Sequence, residues 1–207
     1  FSLTNLPLKK VLFVFGTRPE AIKMAQVINV FKKDSVNFKT MVAVTAQHRE
    51  MLDQVLSVFD IIPDYDLDLM SKSQTLESLT GKILNGISRL LIQIQPDLIF
   101  VQGDTTTTFS ASLAAFYQKI PIGHIEAGLR THDIYSPFPE EINRRMTSSI
   151  ASHHFPPTRQ AEQCLLDEGV NKEKITVTGN TVIDALLTVS RKVESDSSEY
   201  EEYFLNK

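Results

Sequence analysis

Apolar residues are gathered along this chain in two rhythms. In LFVFG (12–16), MVAVTA (41–46), LIFVQGD (98–104), PIGHIEA (121–127) and ITVTGN (175–180) they run almost continuously instead of alternating with polar ones, which is how strands buried on both faces read. Between these runs Leu76, Leu79, Ile83, Ile87, Leu90 and Ile94 recur at steps of 3, 4, 4, 3 and 4, the spacing of one helical stripe, and Met51, Leu52, Val55, Leu56 and Phe59 make a shorter one. Strand and helix signals alternating over the length predict an α/β fold, a doubly wound parallel sheet with right-handed crossovers. There is no shorter internal repeat and no low-complexity segment. The composition turns polar only from about Glu194 onward, which reads as helix or loose tail.

In such a sheet ligands sit beyond the carboxyl ends of the strands, so the residues that follow each apolar run carry the functional information. The first run leads into VFGTRPEAIK (14–23). Thr17 and Glu20 have the spacing of a capping box, Gly16 permits a tight turn, and Pro19 sits in the first helical turn, where its missing N–H costs little. A helix start favours an anion, and Arg18 and Lys23 add positive charge, so a phosphate or diphosphate is the expected guest. The competing reading leaves Arg18 solvated and Lys23 along the helix surface. Neither a Walker loop nor GxGxxG is present.

The second turn is QGDTTTT (102–108), in which Asp104 is either a helix cap or a site acid, and the four threonines, poor helix formers, offer hydroxyls to a polar ligand. The third is HIEAGLR (124–130), followed by SPFPEEINRR (136–145). His124 and Glu126, two apart on a strand, are expected on one face, Gly128 lets the chain turn, and a helix opens with Glu140 and Glu141. One of that pair is expected to serve only as a helix-start charge. Asp104, Glu126 and Glu140 thus all fall at or just after strand ends, beside a cationic helix start. Such carboxylates suit chemistry at a sugar carbon, where they move protons and stabilise an oxocarbenium-like centre.

Other chemistry is excluded by what is missing. His124-Ile-Glu126 begins like a zinc deaminase signature, but the P-C-x-x-C half is absent and Cys164 is the single cysteine, so no metal site is expected. Cys164 reads as a buried helix residue and fits a reducing compartment, and His153 and His154 read as packing or polar contacts that point apart on a strand. The 207 residues, 42% hydrophobic, suit one large domain, and the net charge of −4 argues against nucleic acid as the main partner. No apolar run reaches the length of a membrane span, so no membrane partner is expected and the chain reads as soluble and unexported. It begins without methionine and ends in EYEEYFLNK, which reads as a piece of something longer.

The segments GTRPEAIKMA, TAQHREMLDQVL, GDTTTT, LAAFY, HIEAGLRT, YSPFPEEINR and TGNTVIDAL resemble, in order, the N-terminal domain of the non-hydrolysing UDP-N-acetylglucosamine 2-epimerases. The resemblance implies a Rossmann-like domain over 9–190 that forms the first half of a glycosyltransferase B-like fold, with 1–8 a leader or tag remnant and 191–207 a polar tail or the start of an interdomain connection. It implies a bacterial, cytoplasmic homodimer that interconverts UDP-N-acetylglucosamine and UDP-N-acetylmannosamine for surface polysaccharides. The route is elimination of UDP to 2-acetamidoglucal and re-addition, with no cofactor. By motif position the catalytic acids fall on Asp104, Glu126 and Glu140, and the substrate-contacting cations on Arg18 and Lys23. The family's effector-binding pair falls on Gln47 and His48, with Glu140 as its acidic contact. Two departures are Ser73, where some members have a basic residue, and Gln26, where proline is common. A second domain, which in the family supplies most of the UDP contacts and a histidine, is missing. The competing expectations are a binding or dimerisation module without turnover, and a sugar-transferring enzyme of the same broad fold.

Overall fold

The structure, a computed structural model, describes residues 7–45, 49–69 and 74–195. Six strands form one sheet: β1 (Lys9–Phe15), β2 (Phe38–Val44), β3 (Tyr65–Asp66), β4 (Leu98–Gln102), β5 (Ile122–Ile125) and β6 (His153–Phe155). Their order is β3-β2-β1-β4-β5-β6, and every neighbouring pair is parallel. The chain fills one side of the sheet, returns to its middle, and fills the other. This is the doubly wound, Rossmann-like topology, and its direction of winding reverses between β1 and β4.

Among the described residues seven α-helices link or follow the strands: α1 (Arg18–Lys33), α2 (Arg49–Val58), α3 (Leu76–Ile94), α4 (Thr106–Tyr117), α5 (Glu140–Ile150), α6 (Arg159–Asp167) and α7 (Thr181–Ser195). The continuous apolar runs are explained by the two layers they serve. Val11, Phe13 and Phe15 of β1 pack with Met24 and Ile28 of α1 and with Leu52 and Leu56 of α2, while Leu12 and Val14 point the other way onto Ile83, Ile87 and Leu91 of α3. Burial on both faces removes the selection for polar residues at alternate positions. Of the predicted stripe on α3, Leu79 to Ile94 is buried, and Leu76 stays exposed at the helix start.

One predicted strand is absent from the fold, and two strands in it were not predicted. ITVTGN forms no strand: Ile175 makes one isolated bridge to His154, and Thr176, Val177 and Thr178 follow without a ladder. Only Ile175 of that run is buried, so an edge contact replaces a strand. In its place β6 closes the sheet, and β3 extends the other edge; with three and two residues, neither is long enough to carry a periodic signal. Gln26 lies within α1 with the helix unbroken. Gln47, His48 and Ser73 lie outside the described residues.

Candidate active site

The reversal point between β1 and β4 opens into a cavity of about 460 Å³. Its lining comes from the start of α1 (Thr17, Glu20, Lys23), the end of β4 and start of α4 (Gln102 to Thr106), Glu126 after β5, and the start of α5 (Glu140, Asn143). Asp104, Glu126 and Glu140 therefore share one cavity, as does Lys23. Arg18 does not: it is exposed, lines the adjoining grooves between α1, α2 and α7, and makes no ion pair among the described residues.

The start of α1 holds a carboxylate of its own. The capping box forms as expected, with Thr17 as cap and Glu20 reaching back. Yet Glu20 is 1% exposed and accepts far more than a surface cap would. Its Oε2 takes the N–H groups of Gly16 at 3.0 Å and Thr17 at 2.8 Å, and its Oε1 takes the hydroxyl of Thr105 at 2.7 Å, with the Thr108 hydroxyl oxygen 3.1 Å away. Burial pushes its carboxyl above the usual range against the pull of these donors. This carboxyl group takes the Gly16 and Thr17 N–H groups and pins the starts of α1 and α4 to each other. Gly16 is required for space: a Cβ there would meet Thr45 Oγ1 at 2.1 Å and Thr107 Oγ1 at 2.6 Å.

The threonines also turn inward. Thr105 caps α4 through the Thr108 N–H, Thr108 donates to the Gln102 carbonyl at 2.6 Å, and Thr107 pairs with Thr45 at 3.0 Å. Residues that are poor helix formers alone are held here by side-chain bonds, so three of the four hydroxyls belong to the scaffold. Because Thr105 is the cap, the Asp104 side chain faces the cavity. Its carboxylate pairs with Arg144 of α5, while Asn143 donates to its backbone carbonyl at 3.0 Å. Burial raises the Asp104 carboxyl above its ordinary range; Arg144 opposes this, and the nearby negative charges of Glu140 and Glu126 reinforce it.

Glu126 leaves the sheet one residue past β5 in the left-handed region, at φ 62°. This breaks the alternation that would have put it on the same face as His124. His124 is fully buried, with Nε2 2.7 Å from the Gly103 carbonyl, so that nitrogen carries the proton; burial lowers its pKa to about 3 and the ring is neutral. Glu126 instead meets Lys23 Nζ at 2.7 and 2.6 Å, Gln102 Nε2, and Asn180 Nδ2 at 3.3 Å. Gly128 makes the following turn at φ 84°, with its Cα so close to Ala161 that a Cβ would stand 2.2 Å from the carbonyl oxygen.

The two glutamates that open α5 have different surroundings, and neither is merely a solvated helix-start charge. Glu141 is fully buried, accepts the Thr131 N–H at 3.1 Å and lies 3.5 Å from Arg144. Glu140 is half-buried on the cavity wall and has no hydrogen bond or close ion pair among the described residues. Sequence reasoning assigned no site role to Glu20, Gln102, Arg144 or Asn180. Arg144 had a legible signal, since it follows Glu140 and Glu141 by four and three residues on one helix. His153 and His154 point apart on β6, exposed and buried in turn, and Cys164 is half-buried on α6. Among the described residues no group of three or more His, Cys, Asp or Glu is placed to hold a metal ion, and no helix is long and apolar enough to cross a membrane.

The comparisons with known proteins agree with one another. The family model described as UDP-N-acetylglucosamine 2-epimerase matches residues 30–206. The UDP-N-acetylglucosamine 2-epimerase of Salmonella typhimurium is 58% identical over 184 residues, which is 89% of this chain and 49% of that protein. The crystal structure of the Neisseria meningitidis UDP-GlcNAc 2-epimerase bound to UDP-GlcNAc superposes with a TM-score of 0.90 at 54% identity, over 93% of this chain and 52% of that one. The lipopolysaccharide outer core galactosyltransferase WaaB shares the fold alone, at a TM-score of 0.59 and 15% identity over 83% of this chain and 45% of that one. The chain spans about half the length of the curated relatives it matches.

Proposed function

The chain belongs to the UDP-N-acetylglucosamine 2-epimerase family, and from that premise we propose that it is the N-terminal, sugar-side half of an isomerase that interconverts UDP-N-acetylglucosamine and UDP-N-acetylmannosamine. One observation carries the reading: Asp104, Glu126 and Glu140 line a single cavity of about 460 Å³ at the point where the sheet reverses. Three carboxylates in one cleft suit proton movement at a sugar ring.

The C2 proton of the substrate is not beside a carbonyl, so simple deprotonation is unfavourable. In the proposed route a carboxylate takes that proton, the C–H pair becomes the C1–C2 double bond, and the C1–O bond to UDP breaks with its electrons leaving on the diphosphate. Protonation of C2 on the other face and return of the diphosphate oxygen to C1 gives the epimer. No oxidant or external reagent is consumed. Asp104, with its carboxyl raised, and Glu140, the least tied down of the three, are suited to carry protons. Glu126, held by Lys23 and Gln102, offers fixed negative charge to an electron-poor C1.

The reading also divides labour between this half and the rest of the enzyme. Glu20 takes the N–H groups of Gly16 and Thr17, and Lys23 is engaged by Glu126. That leaves Arg18 as the open cation for the diphosphate, with most UDP contacts assigned to the part of the relatives this chain does not span. Residues 9–190 form the domain and 191–207 lead into the connection. Gln47 and His48 belong to an effector site shared with Glu140, and the complete enzyme is a cytoplasmic homodimer serving bacterial polysaccharide synthesis.

Proton NMR of UDP-N-acetylglucosamine in D₂O tests this directly, comparing the 207-residue chain with one extended to the relatives' length. Deuterium at C2 together with the manno epimer is expected from the longer chain, and little or none from the shorter. A longer chain that is folded yet exchanges nothing at C2 would overturn the epimerase reading.

A further inference from the structure

Glu126 receives donors from three separate elements: Lys23 from α1, Gln102 from the end of β4, and Asn180 from the residue that precedes α7. The first two are part of the sheet's own architecture. Asn180 comes from the outgoing end of the chain and does two things at once. Its Nδ2 lies 3.3 Å from Glu126 Oε1, and its Oδ1 accepts the Val182 N–H at 3.1 Å, the bond of a helix N-cap. One amide thus joins the start of α7 to a carboxylate of the cavity. Elsewhere α7 is held by Ala185, its one buried residue, by half-buried Val189 packed on the same core cluster, and by Lys192, which bonds to the Val58 carbonyl and Asp60. Glu126 is itself in a costly backbone conformation, at φ 62°, so the rotamer of its carboxylate depends on the donors that surround it.

We propose that Asn180 is a positioning residue for Glu126, which couples the placement of α7 to the geometry of the carboxylate cavity. The proposal rests on the epimerase reading for its kinetic consequence and on the structure alone for the contact. Asn180 does not touch the reacting atoms; it restrains the oxygen that faces away from Gln102. If α7 shifts, its cap moves and the restraint on Glu126 goes with it.

Asparagine, aspartate and serine all cap helices well, and alanine does not, so the two roles separate cleanly. Asn180→Asp and Asn180→Ser keep the cap, while the former sets a like charge against Glu126 and the latter is too short to reach it. Asn180→Ala loses both functions. In a chain extended to the relatives' length, Asn180→Asp is expected to lower kcat about 10- to 100-fold, the scale of a misplaced active-site group, with KM changed less than about threefold and the melting temperature held within about 2 °C. Asn180→Ser is expected to lose less, because it removes a donor without adding repulsion. A second readout needs no turnover: in ¹⁵N spectra of the 207-residue chain, Glu126→Gln shifts the Asn180 side-chain amide, while that of Asn37, bonded to Asp34 far away, stays. If the longer chain proves inactive, the epimerase reading fails and the amide shift still decides the contact. An unmoved amide, or an Asn180→Asp chain with parental kcat and melting temperature, overturns the proposal and leaves Asn180 a helix cap alone.

Discussion

Two places at the reversal point carry carboxyl groups, one buried and one half-buried, and they are built in opposite ways. At the start of α1, Glu20 accepts three hydrogen bonds and is closed off from solvent. Across the cavity, Asp104 has one cation and Glu140 has no close partner among the described residues. Saturation makes the first carboxylate part of the frame, because any change of proton or partner strands a buried donor. Incomplete satisfaction leaves the second group able to exchange protons with a ligand.

Breaking the saturated side should have the largest effect. Glu20→Gln turns an amide NH₂ toward donors it cannot accept from, and at about 1–3 kcal/mol for each buried group left unsatisfied the loss is about 4 kcal/mol. Thermal melting of the 207-residue chain should drop by about 10 °C; an unchanged melting curve would erase the distinction between the two regions. The neutral His124 gives the next largest effect, through pH. Below about pH 6.5 the unfolded chain takes up a proton at this histidine, which the folded chain refuses until about pH 3. Stability is therefore complete above 6.5 and falls as pH drops, by about 3 kcal/mol at pH 4, with His154, lowered to about 4, adding in the same direction. Denaturant titrations from pH 7 to 4 should show this slope, and His124→Gln should flatten it.

The open side is sharpened by a change that spares the fold. Asp104→Asn should leave the melting temperature within a few degrees, while turnover of the full-length enzyme falls at least about a hundredfold. Near-normal turnover would remove Asp104 from the chemistry. The smallest effect is expected at the outer cap: Thr17→Ala should cost about 1 kcal/mol in a denaturant titration, since Glu20 continues to hold the same turn.

Much of this was legible in the sequence, for definite reasons. The strands that became β1, β2, β4 and β5 were recognisable because burial on both faces leaves their inner stretches almost continuously apolar. The edge strands β3 and β6 were not, since two or three residues have no period. The three carboxylates were found by their position after strands, a rule of topology that needs no distances. Arg18 was grouped with them on charge and proximity in sequence, but a helix start fans its side chains around an axis, and Arg18 points into the neighbouring groove. Glu20 was read correctly as part of a capping box, while its burial and its bond to Thr105 depend on the start of α4 meeting the start of α1, 85 residues away. Asn180 could not be paired with Glu126 from sequence, because their contact spans 54 residues.

The filled helix start also has a meaning for inhibitor selectivity. Phosphate mimics made for ordinary nucleotide-binding sheets rely on a helix N-terminus that is empty and electropositive. Here the Gly16 and Thr17 N–H groups are already taken by the buried Glu20 carboxyl group, so such a compound would find fewer free donors. A selective compound should instead present a cation or a neutral donor toward the carboxylates of Asp104 and Glu140, which line the open cavity.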